Sequence, residues 1–404
     1  QGGTMAVSGH ESITMTAGTQ VINVRGSLDH GSIYMTAPSL LFDQATIRSR
    51  TNGDHDAGAI TLTATHGSLT LSNESHLLTM TQGGRGHGGP IEVSASEEVR
   101  LSGGATLESG TTNIAEGNGG PIMVTAGTRI TLTDPGTGLF SLTDTAGHGG
   151  SLTLQAPYVL LSNGAILSAA ATGTGPAGRV AIRAGTSVTA HDSLITTQSA
   201  KSGGGQIEIS ATDTIRLVHS TIRSSVLDGA GGGGDIFIDP HAVILQNSHI
   251  LAQAVLGAGG NITIVTPVFL ADHASMVSAS SQFGLSGTVN IQSPTSNLAG
   301  TAAVLPSSFR QSPTLFTGRC AARADSQTSS LVLAGRERMP SAPDGWMASP
   351  PELPEQPAHE TAHTAPTTTQ DPEAAVYTVP LRRLYPAGLL TWHFAESGLT
   401  ACRS

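Results

Sequence analysis

The chain has 404 residues, 50 of them glycine, with 38% hydrophobic and only 3% aromatic content and a formal charge of −10 at pH 7. This balance excludes ordinary layered cores built on large side chains, while the even spread of Val, Ile, Leu and Ala between Gly, Ser and Thr excludes disorder over most of the length. With 18 arginines and a single lysine, Lys201, no basic stripe exists to neutralise a phosphate backbone, so nucleic acid is not an expected partner.

The first residues, "QGGTMAVSG", lack the basic and apolar regions of a signal peptide and begin inside a repeat, so the chain reads as a fragment or processed product. No apolar run approaches the roughly 18 residues of a membrane span. From the start a phrase recurs: small residue, Gly, any residue, apolar, any residue, apolar. It appears as "GGTMAV", "HGSIYM", "AGAITL", "GGPIEV" and onward to "GGDIFI", "GGNITI" and "SGTVNI". Its glycine falls at Gly3, Gly31, Gly58, Gly89, Gly120, Gly150, Gly178, Gly205, Gly234, Gly260 and Gly287, at spacings of 26 to 31 residues.

Each period holds two further strand-like pieces, as in "EEVRLSGGATLES", Glu97 to Ser109. Between the second and third strands stands Asp43, Asn73, Gly103, Asp134, Asn163, Asn247 or Asp272, residue types that tolerate a left-handed backbone. The third strand often reads small residue, any, apolar, any, Ser or Thr, as in "ATIRS" and "ATLES". Three period-2 strands in about 28 residues predict one coil of a parallel β-helix, each strand pairing with its equivalent in the next coil. The expected fold is therefore all-β: a right-handed parallel β-helix, or solenoid, of about eleven three-strand coils over residues 1–300. Propeller blades need longer repeats.

Several short stretches invite a chemical reading. "DGAGGGGDIFIDP", Asp228 to Pro240, lacks the Lys and helix of a phosphate loop. It nearly fits a calcium nonapeptide, but nothing repeats at nine residues and the Asp235 slot holds Pro90, Pro121, Ser151, Arg179, Gln206 and Asn261 elsewhere. "GHG" at Gly86 to Gly88 and Gly147 to Gly149 is similar to a motif of β-helical polygalacturonases, yet hydrolysis needs clustered carboxylates and the sequence has no Asp-Asp pair, no Asn-Thr-Asp and no Arg-Ile-Lys. These histidines, like His30, are expected to face solvent in the corner that opens a coil. Asp54 and Asp56 in "NGDHDAG" supply too few oxygens for Ca²⁺. "HETAH", His359 to His363, matches a zincin pattern, but Pro357 and Pro366 bracket it and forbid the helix that aligns its ligands. The sequence therefore predicts no catalytic residue, no cofactor and no metal.

Beyond residue 300 the composition switches: residues 301–404 hold 12 of the 21 prolines and 5 of the 50 glycines. A closing segment is expected over 301–348, a Pro/Thr-rich linker over 349–372, and over 373–404 a docking or partly ordered segment containing "AVYTVPLRRLYPAGLLTWHF". Its target stays open between the rod's end, a partner and the preceding segment. Cys320 and Cys402 are either one disulfide or two free thiols.

The glycine-led coils, closing with "SGTVNIQSPTSNLAGTAAVLPSSF" and "RCAARADSQTSSLVLAGRERMPSAPDGW", make the chain resemble the C-terminal part of large exoproteins of filamentous-haemagglutinin type, the passengers of two-partner secretion. Where that family usually carries more glycine and proline, this chain has "GRERMPSAP". The family's N-terminal secretion domain, with its Asn-Pro-Asn signature, has no counterpart here. The resemblance implies export through the periplasm and a dedicated outer-membrane pore as partner, then display or release at the bacterial surface. The expected role is that of an adhesin or structural rod binding host, cell or biofilm receptors. A polysaccharide-acting enzyme on the same scaffold is the competing expectation, because long β-helix grooves suit extended sugars.

Overall fold

The computed structural model describes residues 3–25, 31–112 and 115–294. All of them fall within a unit that runs from Gln1 to Ala303. The expectations for 301–348, 349–372 and 373–404, for Cys320 and Cys402, for His30 and for His359 to His363 concern residues outside that set. Among the described residues there are 29 strands and no helix, hence none long and apolar enough to cross a membrane.

The strands wind as a parallel β-solenoid with three faces. One coil shows the plan: Ile91–Ala95 on the first face, Glu98–Leu101 on the second and Thr106–Thr112 on the third. Each pairs in parallel with its equivalent in both neighbouring coils, Ile91 opposite Ile60 and Ile122, Val99 opposite Leu69 and Ile130, Leu107 opposite Leu77 and Leu139. Ten complete coils are present, and Val289–Gln292 supplies the first strand of an eleventh. The glycine-led phrase thus marks the first face of every complete coil and the strand Val289–Gln292 that follows them.

Period-2 alternation builds the interior. On the first face Ile60, Ile91, Ile122, Leu152, Val180, Ile207 and Ile262 are 0% exposed and stand one above another. Leu69, Val99, Ile130, Val188 and Ile215 do the same on the second, and Leu77, Leu107, Leu139 and Leu167 on the third. One coil's apolar set cannot offset the conformational entropy of its own chain, so stability is shared with the coils above and below. In the last described strand, Val289 and Ile291 are 43% and 37% exposed.

Coils six and seven depart from the plan. The first two faces fuse there into single strands, Ser151–Ser162 and Arg179–His191. Coil six passes the corner with Pro157 alone and coil seven with Gly185 and Thr186, so the register shifts by one residue between Ala156 and Tyr158. The extra residue is accommodated as a bulge.

At the corner between the second and third faces, five of the expected left-handed positions have positive φ: Asn73 (51°), Gly103 (61°), Asp134 (84°), Asn163 (52°) and Asn247 (45°). Asp43 and Asp272 do not. In the Asp43 coil the turn falls one residue later, on Gln44 (φ 54°), and Asp43 instead accepts hydrogen bonds from Ser72 and Asn73 of the next coil. Asp272 accepts one from the Ser275 hydroxyl and another from the Asn247 amide, which lower its carboxyl pKa. Ala17 (53°), Asp192 (49°) and His219 (47°) take the left-handed turn in the three coils where it was not foreseen.

Candidate functional site

The corner glycines form a stack. A Cβ at Gly58 would overlap the Gly31 carbonyl, one at Gly178 the Gly150 carbonyl, one at Gly205 the Gly178 carbonyl, one at Gly234 the Gly205 carbonyl and one at Gly287 the Gly260 carbonyl. Gly89, Gly120, Gly150 and Gly260 are equally tight against the coil below, whereas Gly3 lies exposed at the start of the rod. None of these nine glycines has the positive φ that other glycines of the chain show. What demands glycine here is the close approach of backbone to backbone.

Hydroxyls inside the third face complete that corner. Thr79 and Ser109 both donate to the Gly89 carbonyl at 2.7 Å, Ser141 donates to Gly120 at 2.7 Å and Ser224 to Gly205 at 2.5 Å. Ser109 is the terminal serine of "ATLES" and Ser49 that of "ATIRS"; Ser49 donates to Gly31. A buried hydroxyl without a partner is costly, and the glycine carbonyl supplies one. Ladders of this kind need no ligand.

The turns that lead into the glycine corner are laddered too. Asp56 accepts from the His87 amide at 2.7 Å and Asp54 from the Arg85 amide at 3.0 Å. His87 Nδ1 accepts from the Asn118 amide, and Asn118 Oδ1 from the His148 amide, both at 2.8 Å. The two histidines of "GHG" are exposed, as expected, and the Asp54 and Asp56 oxygens serve the backbone of the coil above. Asp235 behaves alike: its Oδ1 accepts from both the amide and the side chain of Asn261, and Asn261 Oδ1 accepts from Thr288. The glycine run before Asp235 is an expanded coil corner.

The outer side of the third face is chemically distinct. Its middle column carries Arg48, Leu78, Glu108, Phe140, Ser168, Thr196 and Arg223 in register. Leu78, Glu108, Ser168 and Thr196 are buried although they point outward. Glu108 is 8% exposed; it accepts from Thr106 Oγ1 at 2.8 Å, and that hydroxyl lies 2.7 Å from His76 Nδ1. Burial raises the Glu108 carboxyl pKa, against the opposing pull of the Thr106 hydrogen bond and the Arg48 charge. Arg48 Nε, Arg50 Nε, Thr112 Oγ1 and Thr196 Oγ1 are buried without a hydrogen-bond partner among the described residues, and all four belong to this side of this face. Burial lowers the Arg50 pKa, with Arg48 adding to the effect, and burial lowers that of Arg223.

Sequence reasoning passed over Glu108 because it sits at an unconstrained position of "ATLES"; its burial follows from the face it occupies, which the local pattern does not encode. A carboxyl whose pKa burial raises is a general-acid candidate, but glycoside hydrolysis requires a second carboxylate about 5–10 Å away. Within the column just described Glu108 stands alone. Two surface depressions lie elsewhere, at the corner of the first and second faces, one beside Ser210, Asp239 and His241 and one beside Gln155, Pro157 and Arg183. No protein family, curated protein or solved structure compared with the chain matches it.

Proposed function

We propose that this β-solenoid serves as a secreted or surface-displayed bacterial rod of filamentous-haemagglutinin type, acting as an adhesin or structural element and exported through an outer-membrane two-partner secretion pore. The single observation that favours it is the ladder organisation of the outer surface. Side chains repeat along the axis coil after coil, and the polar groups at the corners bond to the neighbouring coil and so spend their valence on the rod itself. Such a surface offers extended, multivalent contact, in which weak sites add through effective concentration. The export route is what the resemblance carried by the closing segments quoted above implies.

Glu108 is the specific observation behind the second reading, a polysaccharide-acting enzyme with that residue as the acid. One experiment separates the two. Beads coated with the chain are incubated with epithelial cells, with bacteria and with a panel of acidic and neutral polysaccharides, and both retention and newly formed reducing or unsaturated ends are measured. The adhesive reading predicts saturable retention with no new chain ends. Release of chain ends that disappears in Glu108→Gln would replace it with the enzymatic one.

A further inference from the structure

We propose that His191, Asp192 and His219 form a surface site for one divalent transition-metal ion of the zinc, cobalt or copper class. The three residues come from consecutive coils at the corner between the second and third faces. His191 ends the strand Arg179–His191, Asp192 makes the left-handed turn, and His219 makes the same turn one coil later, 28 residues beyond His191 in the chain.

The two imidazoles address opposite oxygens of one carboxylate. His191 Nδ1 is 2.7 Å from Asp192 Oδ2 and His219 Nδ1 is 3.6 Å from Asp192 Oδ1. One ligand atom from each residue lies within 4.8 Å of the other two, and the rings stand edge-on with centroids 5.8 Å apart. Metal–ligand bonds of about 2.0–2.2 Å place neighbouring ligands of a tetrahedral shell roughly 3.3–3.5 Å apart, and the two measured separations bracket that value. Two imidazoles and a carboxylate are the donor set that Zn²⁺ and its neighbours prefer over Mg²⁺ or Ca²⁺. The side chains are 47%, 49% and 52% exposed, so further coordination positions are open to water or to a ligand from outside.

Two features distinguish this corner from the others. At four other corners the slot of His219 holds Asn73, Asp134, Asn163 and Asn247 and that of His191 holds Ser72, Thr133, Ser162 and Gln246, while the last described corner has His273 and Asp272 there without a second imidazole in the group. At those corners carboxylate oxygens bond to an amide of an adjacent coil, as Asp43 does with Asn73 and Asp134 with the Gly103 amide. Among the described residues, this is the corner where two imidazoles and a carboxylate come together as three possible ligands. The backbone is also fixed beforehand: the Asp192 amide donates to Val218 at 3.0 Å, the His219 amide to Gln246 at 2.9 Å, and the Gly164 amide to the Asp192 carbonyl at 2.7 Å. Preorganised ligands bind with less ordering cost. The site does not depend on how the rod is used.

The test uses the whole chain, with Co²⁺ followed by visible absorption and Zn²⁺ by calorimetry. His219→Asn and His191→Ser install the residues found at equivalent corners, and Asp192→Asn keeps the left-handed preference; circular dichroism checks that each is folded. His359→Ala/His363→Ala serves as the control for the other histidine pair with metal-ligand spacing. The expected result is one ion bound per chain, weakened at least tenfold by each corner substitution and unchanged in the control. No binding by the wild type at millimolar Co²⁺, equal binding by His219→Asn, or loss confined to the His359/His363 variant would each overturn the proposal.

Discussion

Along the first two faces the inward columns are aliphatic, whereas along the third a single aliphatic column, Ile47 through Ile250, runs between columns of Ser, Thr and Ala. Ser193, Ser220 and Ser248 each donate a backbone amide to the serine hydroxyl one coil on, at 3.1 Å, and on the other side Thr79, Ser109, Ser141 and Ser224 cap the glycine carbonyls. The two chemistries do different work. Aliphatic burial is strong but non-directional; it forbids a one-residue slip, which would turn every side chain over, but tolerates a slip of two. Hydroxyl bonds and stacked glycines at the third face forbid that one as well.

The largest effect should come from breaking the aliphatic side. Ile207→Asp buries an unpaired charge between Val180 and Ile236 and should cost more than about 4 kcal/mol, seen as loss of β circular dichroism and protease resistance over several coils; unchanged resistance would contradict the inward assignment. Next comes the corner. Gly205→Ala places a methyl against the Gly178 carbonyl and the Thr197 side chain, whereas a Cβ at Gly203, two residues earlier, meets nothing within 4 Å. Thermal unfolding should show a loss of about 1–3 kcal/mol for the first and a change within about 0.5 kcal/mol for the second. Equal effects would mean that the corner stack does not set the register.

The smallest change belongs to the outer side of the third face. Burial raises the Glu108 pKa in the folded chain above its value in the unfolded chain, so the native state holds the proton more tightly than the unfolded chain does. Its contribution is therefore present at and below that unfolded value and is lost as the pH rises through the folded one. Glu108→Gln should raise stability at neutral pH relative to acidic pH and flatten the decline with rising pH. Greater destabilisation of the variant at neutral than at acidic pH would reverse the sign.

Much of the fold was legible because the repeat is written in the residues that the stack most constrains. Gly58 through Gly287 mark carbonyl contacts that no Cβ allows, and alternating apolar residues mark the columns. The second corner was legible only in part: a left-handed turn requires a backbone angle rather than one residue type, so Gln44, Asp192 and His219 fill it alongside the expected Asn and Asp. The corner of coil six is one residue shorter than those of the coils on either side and is turned by Pro157, a signal too local for a period to carry. His191, Asp192 and His219 were silent for another reason. Two histidines 28 residues apart mean nothing until the coil length is known to bring them together.

Register between coils is the claim on which the columns, the corners and the metal site all rest, and engineered cysteines measure it directly. Thr189 and Arg216 are partners on the outer side of the second face, at the roughly 4.8 Å spacing of adjacent strands, within disulfide reach. Pairing Thr189 with Val218 instead imitates a two-residue slip, with Cα atoms about 8 Å apart. In a Cys320→Ser/Cys402→Ser background, Thr189→Cys/Arg216→Cys should close quantitatively under mild oxidation while Thr189→Cys/Val218→Cys stays reduced. Preferential closure of the second pair would contradict the register and the account built on it.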